Sequence, residues 1–341
     1  MIPINTDNHH LNPLTNIDAK ANIDHSVRIE PFTTIEGDVV IGAGSWIGAN
    51  VVIRDGVRIG KNCRIQSGTV ISADVSQLEY WRDSTLEENG QLHEVVIKDN
   101  VHIEPNSTIH GIVTIDEGCW IGSNVTIHDG ARIGKHCKIF SGAIISGTPQ
   151  DLKFGGERTT LEIGDHTIIR ECATLNRGTS HSGTTVIGSH VLIMAYVHIA
   201  HDCIIGDHVI LANAVNMGGH VEIGEYAIVG GTAAIHQFVR IGKHVMLQGG
   251  ALLGKDLPPY TTAGRFPVQY DGVNIIGLRR RKFSPDTIYA IQDIYRQIFL
   301  SKMNMTTALK YVENKLPDSQ ERKNILEFIR ASTRGIIKGP K

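Results

Sequence analysis

The chain has 341 residues, with 33 basic and 35 acidic side chains and a formal charge of −2. So small a net charge supplies no bulk field toward nucleic acid or an anionic membrane. No apolar run approaches the roughly 18 residues that a membrane-spanning helix needs, so no integral membrane segment is expected. The polar first fourteen residues carry neither the basic nor the apolar stretch of a secretion signal, and a cytoplasmic protein is the expectation. The chain holds 36 glycines and only 6% aromatics, which points to many tight corners around branched aliphatics. Cys63, Cys119, Cys137, Cys172 and Cys203 include no C-x-x-C pair and read as reduced core thiols.

From Ile17 onward the sequence repeats every six residues. Ile17, Ile23, Ile29 and so on to Ile71 fall in one register, and Ile97 to Ile145 form a second run. Ile163, Ile169 and Leu175 make a short third run, and a fourth extends from Ile187 through Met217 to Leu253. Neither a 3.6-residue helix nor a two-residue strand alternation produces this spacing. Short strands joined by corners do, each sending one aliphatic inward, with the glycine that often follows (Gly42, Gly60, Gly224, Gly242) read as a permissive corner backbone. The expectation is an all-β solenoid, a parallel β-helix of hexapeptide repeats with roughly eleven coils about 4.8 Å apart.

The lattice breaks at residues 73–95, a polar excursion loop. It breaks again at GTPQDLKFGGERTT before Ile163, and at NRGTSHSGTT over 176–185. After Leu253 a Pro- and Gly-containing connector leads to a small α-helical domain. Ser284 and Pro285 open a helix with Ile288, Ile291, Ile294, Tyr295 and Ile298 on one face. Thr306 or Thr307 starts the next, and Asp318 with Glu321 caps the last. The domain reading is additional N-terminal coils over 1–96, a catalytic β-helix over 97–265, and a connector with helices over 266–341.

The chemistry-bearing residues are clustered histidines. His198 and His201 flank Ile199, Asp202 follows His201, His220 follows Gly218 and Gly219, and His236 precedes Gln237. At about 18 residues per coil, His201, His220 and His236 are expected to form a column on one face. A histidine beside a carboxylate suits a general base near neutral pH. No nucleophile elbow is present, so direct transfer fits better than a covalent acyl-enzyme. No metal and no cofactor are expected; zinc on His198-x-x-His201 is the competing reading.

The strings GTPQDLKFGGE, TLNRGT, HIAHDC, MGGHV, HVMLQGG, DLPPY and STRGII, spread over residues 97–341, closely resemble the UDP-N-acetylglucosamine O-acyltransferase family that begins lipid A synthesis. The resemblance implies a left-handed solenoid, a homotrimer, and acyl carrier protein and UDP-N-acetylglucosamine as partners. It implies His201 as general base, Asp202 as its orienter and Gly219 as an oxyanion donor. It also implies sugar, nucleotide or pantetheine contacts at His198, His220, His236 and Gln237. Asp151 and Lys153 would reach the sugar from a neighbouring subunit, and Asn274, Arg280 and Arg281 would bind the donor or the phosphates. Met246 and Gly249 would measure the acyl chain. Ile276 and Pro267 depart from the family's usual Glu and His. Residues 11–72 read as a second copy of the family's N-terminal coils, and SQLEYWRDSTLEE at 76–88 echoes the QDLK loop without its Asp-x-Lys pair. The rival readings are the related N-acyltransferase, a γ-class carbonic-anhydrase-like metalloenzyme and a non-catalytic binding solenoid.

Overall fold

A computed structural model describes residues 14–73 and 95–340; most of the expected excursion loop therefore lies outside the described residues. Among them, 34 two- to four-residue strands run from Asn16–Ile17 to Leu252–Leu253. Every one contains a single aliphatic of the six-residue register.

The chain forms two compact units, Met1–Ser189 and His190–Lys341. Within each, the strands up to Leu253 pair in parallel with the third strand before them, after them or both, building three sheets around one interior. In the first unit Ile103 pairs with Ile65 and Ile121, and in the second Met217 pairs with Ile199 and Ile235. Lattice aliphatics thus stack on their equivalents one coil away, 18 residues where no loop intervenes and more where one does, and nearly all are excluded from water. This is the ladder that the hydrophobic effect rewards, since each coil alone buries nothing.

The glycines that follow the aliphatics have a different reason from the one expected. Neither Gly42 nor Gly224 has a left-handed backbone. A Cβ on Gly42 would lie 2.8 Å from the backbone of Gly60, and one on Gly224 2.6 Å from the amide of Lys243. They are small because adjacent coils touch there. The left-handed corner positions fall to other glycines, such as Gly44 and Gly118, and to non-glycine residues that are mostly Asn, His and Tyr, with Asn50, Asn124, Asp202 and His220 among the left-handed set. Asn and Asp are the side chains that tolerate that region best.

Cys63, Cys119, Cys137 and Cys203 are buried, each with its sulfur against a carbonyl of the neighbouring coil. Cys172 departs from the expectation: it is exposed, because it occupies a left-handed corner rather than an inward slot.

The first unit carries its own internal copy. Trp46 donates its indole N–H to Glu30 at 3.1 Å, and the equivalent Trp120 donates to Glu104 at 3.3 Å. Asp55 accepts the amide of Asp38 at 2.7 Å, as Asp129 accepts that of Ile112 at 2.8 Å. The copies differ in chemistry. Glu36 and Arg54 form an exposed ion pair in the first, where the second has His110 and His128 edge to face at 4.6 Å.

After Leu253, the connector folds into two antiparallel strands, Thr261–Gly264 and Gln269–Val273. Four α-helices follow, α1 (Ile275–Arg280), α2 (Pro285–Tyr295), α3 (Met305–Lys315) and α4 (Gln320–Arg330), with a π-helical segment Arg296–Leu300 continuing α2. Ser284 caps α2 with Pro285 at its first turn, as expected. The other two starts are corrected. Asn304 caps α3 by accepting the amide of Thr307, and Ser319 caps α4 by accepting that of Arg322. Asp318 instead pairs with Arg322 one turn on, at 2.7 Å. Helix α1 was not anticipated; Arg279 and Arg280 close it rather than lead into a helix.

Gly224→Ala is expected to lower the unfolding free energy by about 1–3 kcal/mol through overpacking between coils. Gly254, whose Cβ would meet nothing within 4 Å, is the control and should change by no more than about 0.5 kcal/mol. Urea titrations of both variants check this.

Candidate functional site

The site lies on the corners of the second unit. The strand His198–Ile199 sends Ile199 inward and leaves His198 facing out. The corner that follows holds His201 and Asp202. Asp202 has a left-handed backbone, φ 58°, which turns its carboxylate inward; the residue is 4% exposed. There it accepts a hydrogen bond from His201 Nδ1 at 2.7 Å, with His220 Nδ1 at 3.9 Å from the same oxygen. A carboxylate held this way fixes the imidazole tautomer and leaves Nε2 as the proton acceptor.

Gly219 lies on the equivalent corner one coil on. A Cβ there would meet His201 Cε1 at 2.6 Å and Nε2 at 2.8 Å, so only glycine lets the ring rest on that backbone. The Gly219 N–H has no partner among the described hydrogen bonds and is open to an incoming acceptor. His220 is edge-on to His201 at 5.0 Å, and its ring stacks on Phe238 at 4.4 Å and 2°. Burial lowers the pKa of His198 below the usual histidine range, so it is neutral at neutral pH.

The expected column of three histidines is therefore corrected. The residues one coil apart are Asp202, His220 and Phe238, each left-handed, and separately His201, Gly219 and Gln237. His236 sits on the exposed entry to the third corner. Phe238 escaped notice in the sequence, although its 18-residue distance from His220 was available as a signal. So was the spacing of His190, His208, Tyr226 and His244, whose rings form a continuous stack at 4.6–5.1 Å.

His201, Asp202 and His220 also offer ligand atoms within 4.8 Å of one another, a set distinct from His198-x-x-His201. Two ligands of a tetrahedral zinc at about 2.1 Å stand roughly 3.4 Å apart. The 2.7 Å between His201 and Asp202 is hydrogen-bond length.

Other candidate residues take varied positions. Asp151 and Lys153 lie on the loop between Ile144–Gly147 and Thr160–Ile163 in the first unit. Asp151 accepts the Lys153 amide at 3.0 Å, and the Lys153 side chain is exposed. The loop's stem is held by Asn176, which donates to the Thr148 carbonyl, and by buried Arg177, whose guanidinium lies 5.5 Å from the Phe154 ring. Asn274 caps α1 and donates to the His244 carbonyl at 2.9 Å. Arg280 is exposed, whereas Arg281 donates to the Tyr226 carbonyl at 2.8 Å and lies over that ring. Ile276 is exposed and Pro267 lies in the turn between the two connector strands.

Met246 faces outward, paired with Ile228. Gly249 is exposed with no left-handed requirement, which falls to Gly250. A Cβ on Gly249 would stand 3.0 Å from the Gly231 carbonyl oxygen, tight but open outward. Gln248 turns its amide to Asp271 at 3.4 Å.

Parallel hexapeptide coils with a histidine–carboxylate pair on a corner define a hexapeptide-repeat acyltransferase. Residues 38–73 and 184–219 match the bacterial transferase hexapeptide profile, and 112–146 a hexapeptide repeat of succinyl-transferase. Residues 256–337 match the profile of UDP N-acetylglucosamine O-acyltransferase, domain 2. An acyl-[acyl-carrier-protein]–UDP-N-acetylglucosamine O-acyltransferase from Chlorobaculum tepidum is 62% identical over 187 residues, 54% of this chain and 71% of that protein. Its counterpart from Aquifex aeolicus is 56% identical over 197 residues, 58% of this chain and 76% of that protein. A crystal structure of a UDP-N-acetylglucosamine acyltransferase from Bacteroides fragilis superposes with a TM-score of 0.63 at 36% identity, covering 96% of this chain and 100% of the other. The chain belongs to the UDP-N-acetylglucosamine O-acyltransferase family: it is an acyltransferase built on a left-handed parallel β-helix.

Gly219→Ala is expected to push the His201 ring off its seat and lower acyltransferase turnover by roughly 10²-fold, the usual consequence of misplacing a reacting group by about 1 Å. Steady-state kinetics of the variant decide it; more than half the wild-type rate would contradict the geometry.

Proposed function

We propose that the chain transfers a 3-hydroxyacyl group from acyl carrier protein to the 3-hydroxyl of UDP-N-acetylglucosamine, the first step of lipid A biosynthesis, by direct attack. The observation that carries this reading is the His201–Asp202 hydrogen bond of 2.7 Å against a glycine corner. The printed activities of the relatives supply the two substrates. His201 Nε2 takes the proton of the sugar hydroxyl as its oxygen attacks the thioester carbonyl. The Gly219 N–H receives the tetrahedral oxyanion, an interaction worth a few kcal/mol in such sites. Collapse breaks the C–S bond, and the departing thiolate takes the proton back from the imidazolium. Asp202 stabilises that imidazolium without itself being protonated. No metal or cofactor takes part.

His198, His220, His236 and Gln237 line the substrate path. Asn274, Arg280 and Arg281 contact the donor or the nucleotide phosphates, and the Arg279–Lys282 run gives the acidic carrier protein a landing patch. One face of a solenoid forms only half a cleft, so the active assembly is a homotrimer. In it Asp151 and Lys153 of one subunit meet the sugar bound to the next. The enzyme works in the cytoplasm; no helix among the described residues is long and apolar enough to cross a membrane.

His201→Ala is expected to lower turnover by roughly 10²- to 10⁴-fold with the fold intact; retention of more than half the activity excludes His201 as the base. Mass measurement in solution should give a trimer, and a fully active monomer would refute the shared cleft. Gly249 leaves the acyl path open, and each buried methylene favours binding by about 0.8 kcal/mol. Donors of about fourteen carbons should therefore outcompete donors of about ten, and Gly249→Met should reverse that order. A wild type preferring the short donor, or a Met variant with unchanged preference, removes Gly249 as the ruler.

A further inference from the structure

The segment after α4 returns to the solenoid and is pinned there. Asp256, 1% exposed, accepts the Ser332 hydroxyl at 2.7 Å and the Arg240 amide at 2.9 Å. Its own amide donates to the Gly335 carbonyl, and the Ile337 amide donates back to its carbonyl, both at 3.0 Å. Between these anchors the side chain of Arg334 crosses to the corner of His236. Its Nη2 lies 3.2 Å from His236 Nδ1, and Nη2 and Nε lie 3.3 and 3.4 Å from the Gly254 carbonyl. Lys255 lies near the adjacent tail backbone: a Cβ on Gly335 would stand 3.8 Å from Lys255 Nζ. No described carboxylate forms an ion pair with Arg334 or Lys255, while Arg240 and Lys243, the two Lys/Arg residues of this unit's solenoid coils, each have one.

A second observation points to an anionic ligand. His236 Nδ1 lies 3.0 Å from the carbonyl of Gln237, a permanent acceptor, and 3.2 Å from the Arg334 guanidinium, a permanent donor. One ring nitrogen satisfies only one of them at a time. An anion that took the guanidinium would free Nδ1–H to donate to the Gln237 carbonyl. The cluster is also close to the reacting centre. The Phe238 amide donates to the Gly219 carbonyl at 3.0 Å, and the Phe238 ring stacks on His220. His201 and the Gln237 corner are two coils apart, about 10 Å at the usual interstrand spacing.

We propose that Arg334 and Lys255, with His236, form a phosphate-recognition site for one substrate of the acyl transfer. This rests on the acyl-transfer reading above. Both substrates carry such a group, the diphosphate of the nucleotide sugar and the phosphodiester of the carrier protein's prosthetic arm. A guanidinium matches phosphate geometry, and a nearby ammonium adds charge without demanding a fixed orientation.

The test is steady-state kinetics of the full-length wild type, Arg334→Met and Lys255→Met, varying acyl carrier protein thioester and UDP-N-acetylglucosamine in turn. Wild-type turnover with both substrates establishes the reaction first; its absence would sink the acyl-transfer reading itself. Arg334→Met is expected to raise the KM of one substrate about tenfold while kcat stays within about twofold, the size of one lost charge-assisted hydrogen bond. Lys255→Met, which breaks no hydrogen bond of the tail, should raise the KM of that same substrate by a smaller factor. The affected substrate identifies the phosphate. An equal rise in both KM values, or a fall in kcat with both KM values unchanged, means that Arg334 only fastens the tail. Unchanged KM values in both variants overturn the proposal as well.

Discussion

The chemistry depends on one constraint, the stacking of each aliphatic on its equivalent in the next coil. Because Ile199, Met217, Ile235 and Leu253 pair in register, every corner is fixed relative to the corners above and below it. The register cannot slip by one residue without turning the aliphatics outward. A corner can then hold residues that would be costly elsewhere: a left-handed Asp202, a buried carboxylate and an imidazole lying on a neighbour's backbone. The interior supplies the stability that such a corner consumes, and strain of this kind persists where the surroundings over-determine it.

The same constraint explains why the corners differ so freely. In the first unit, the equivalent indole–carboxylate pairs of Trp46 and Trp120 show one coil design used twice. Outward positions meanwhile differ, Glu36 and Arg54 in one copy standing where His110 and His128 stand in the other. Burial then depresses His128 to a pKa of about 4, with the neighbouring His110 adding to the effect. A solenoid separates the residues that build it from the residues that act, so either set can change without the other.

That separation also governs what the sequence revealed. The six-residue register gave every strand from Asn16 to Leu253, because one aliphatic per strand is the whole folding signal. The proximity of His201 to Asp202 was legible for the same reason, being local. What was misread depended on a one-residue offset. His220 follows Asp202 and not His201 by one coil, so the column is a carboxylate, an imidazole and a phenyl ring. Asn304 and Ser319 cap their helices one or more residues from the expected starts, since several neighbouring side chains could have accepted the same amides. The pinning of Arg334 beside His236 joins residues nearly a hundred apart through Asp256, a side chain with no periodic signature.

The account's central claim is that Asp202 works through His201, by holding its Nδ1–H and leaving Nε2 to take the substrate's proton. Asp202→Asn keeps the shape of the corner but can present an N–H to Nδ1, which reverses the tautomer. The single-turnover rate of acyl transfer in that variant is the direct test. A fall on the order of 10²-fold or more, with substrate binding unchanged, is the predicted result. A rate within about twofold of wild type, in a variant whose imidazole still faces the asparagine, would contradict it.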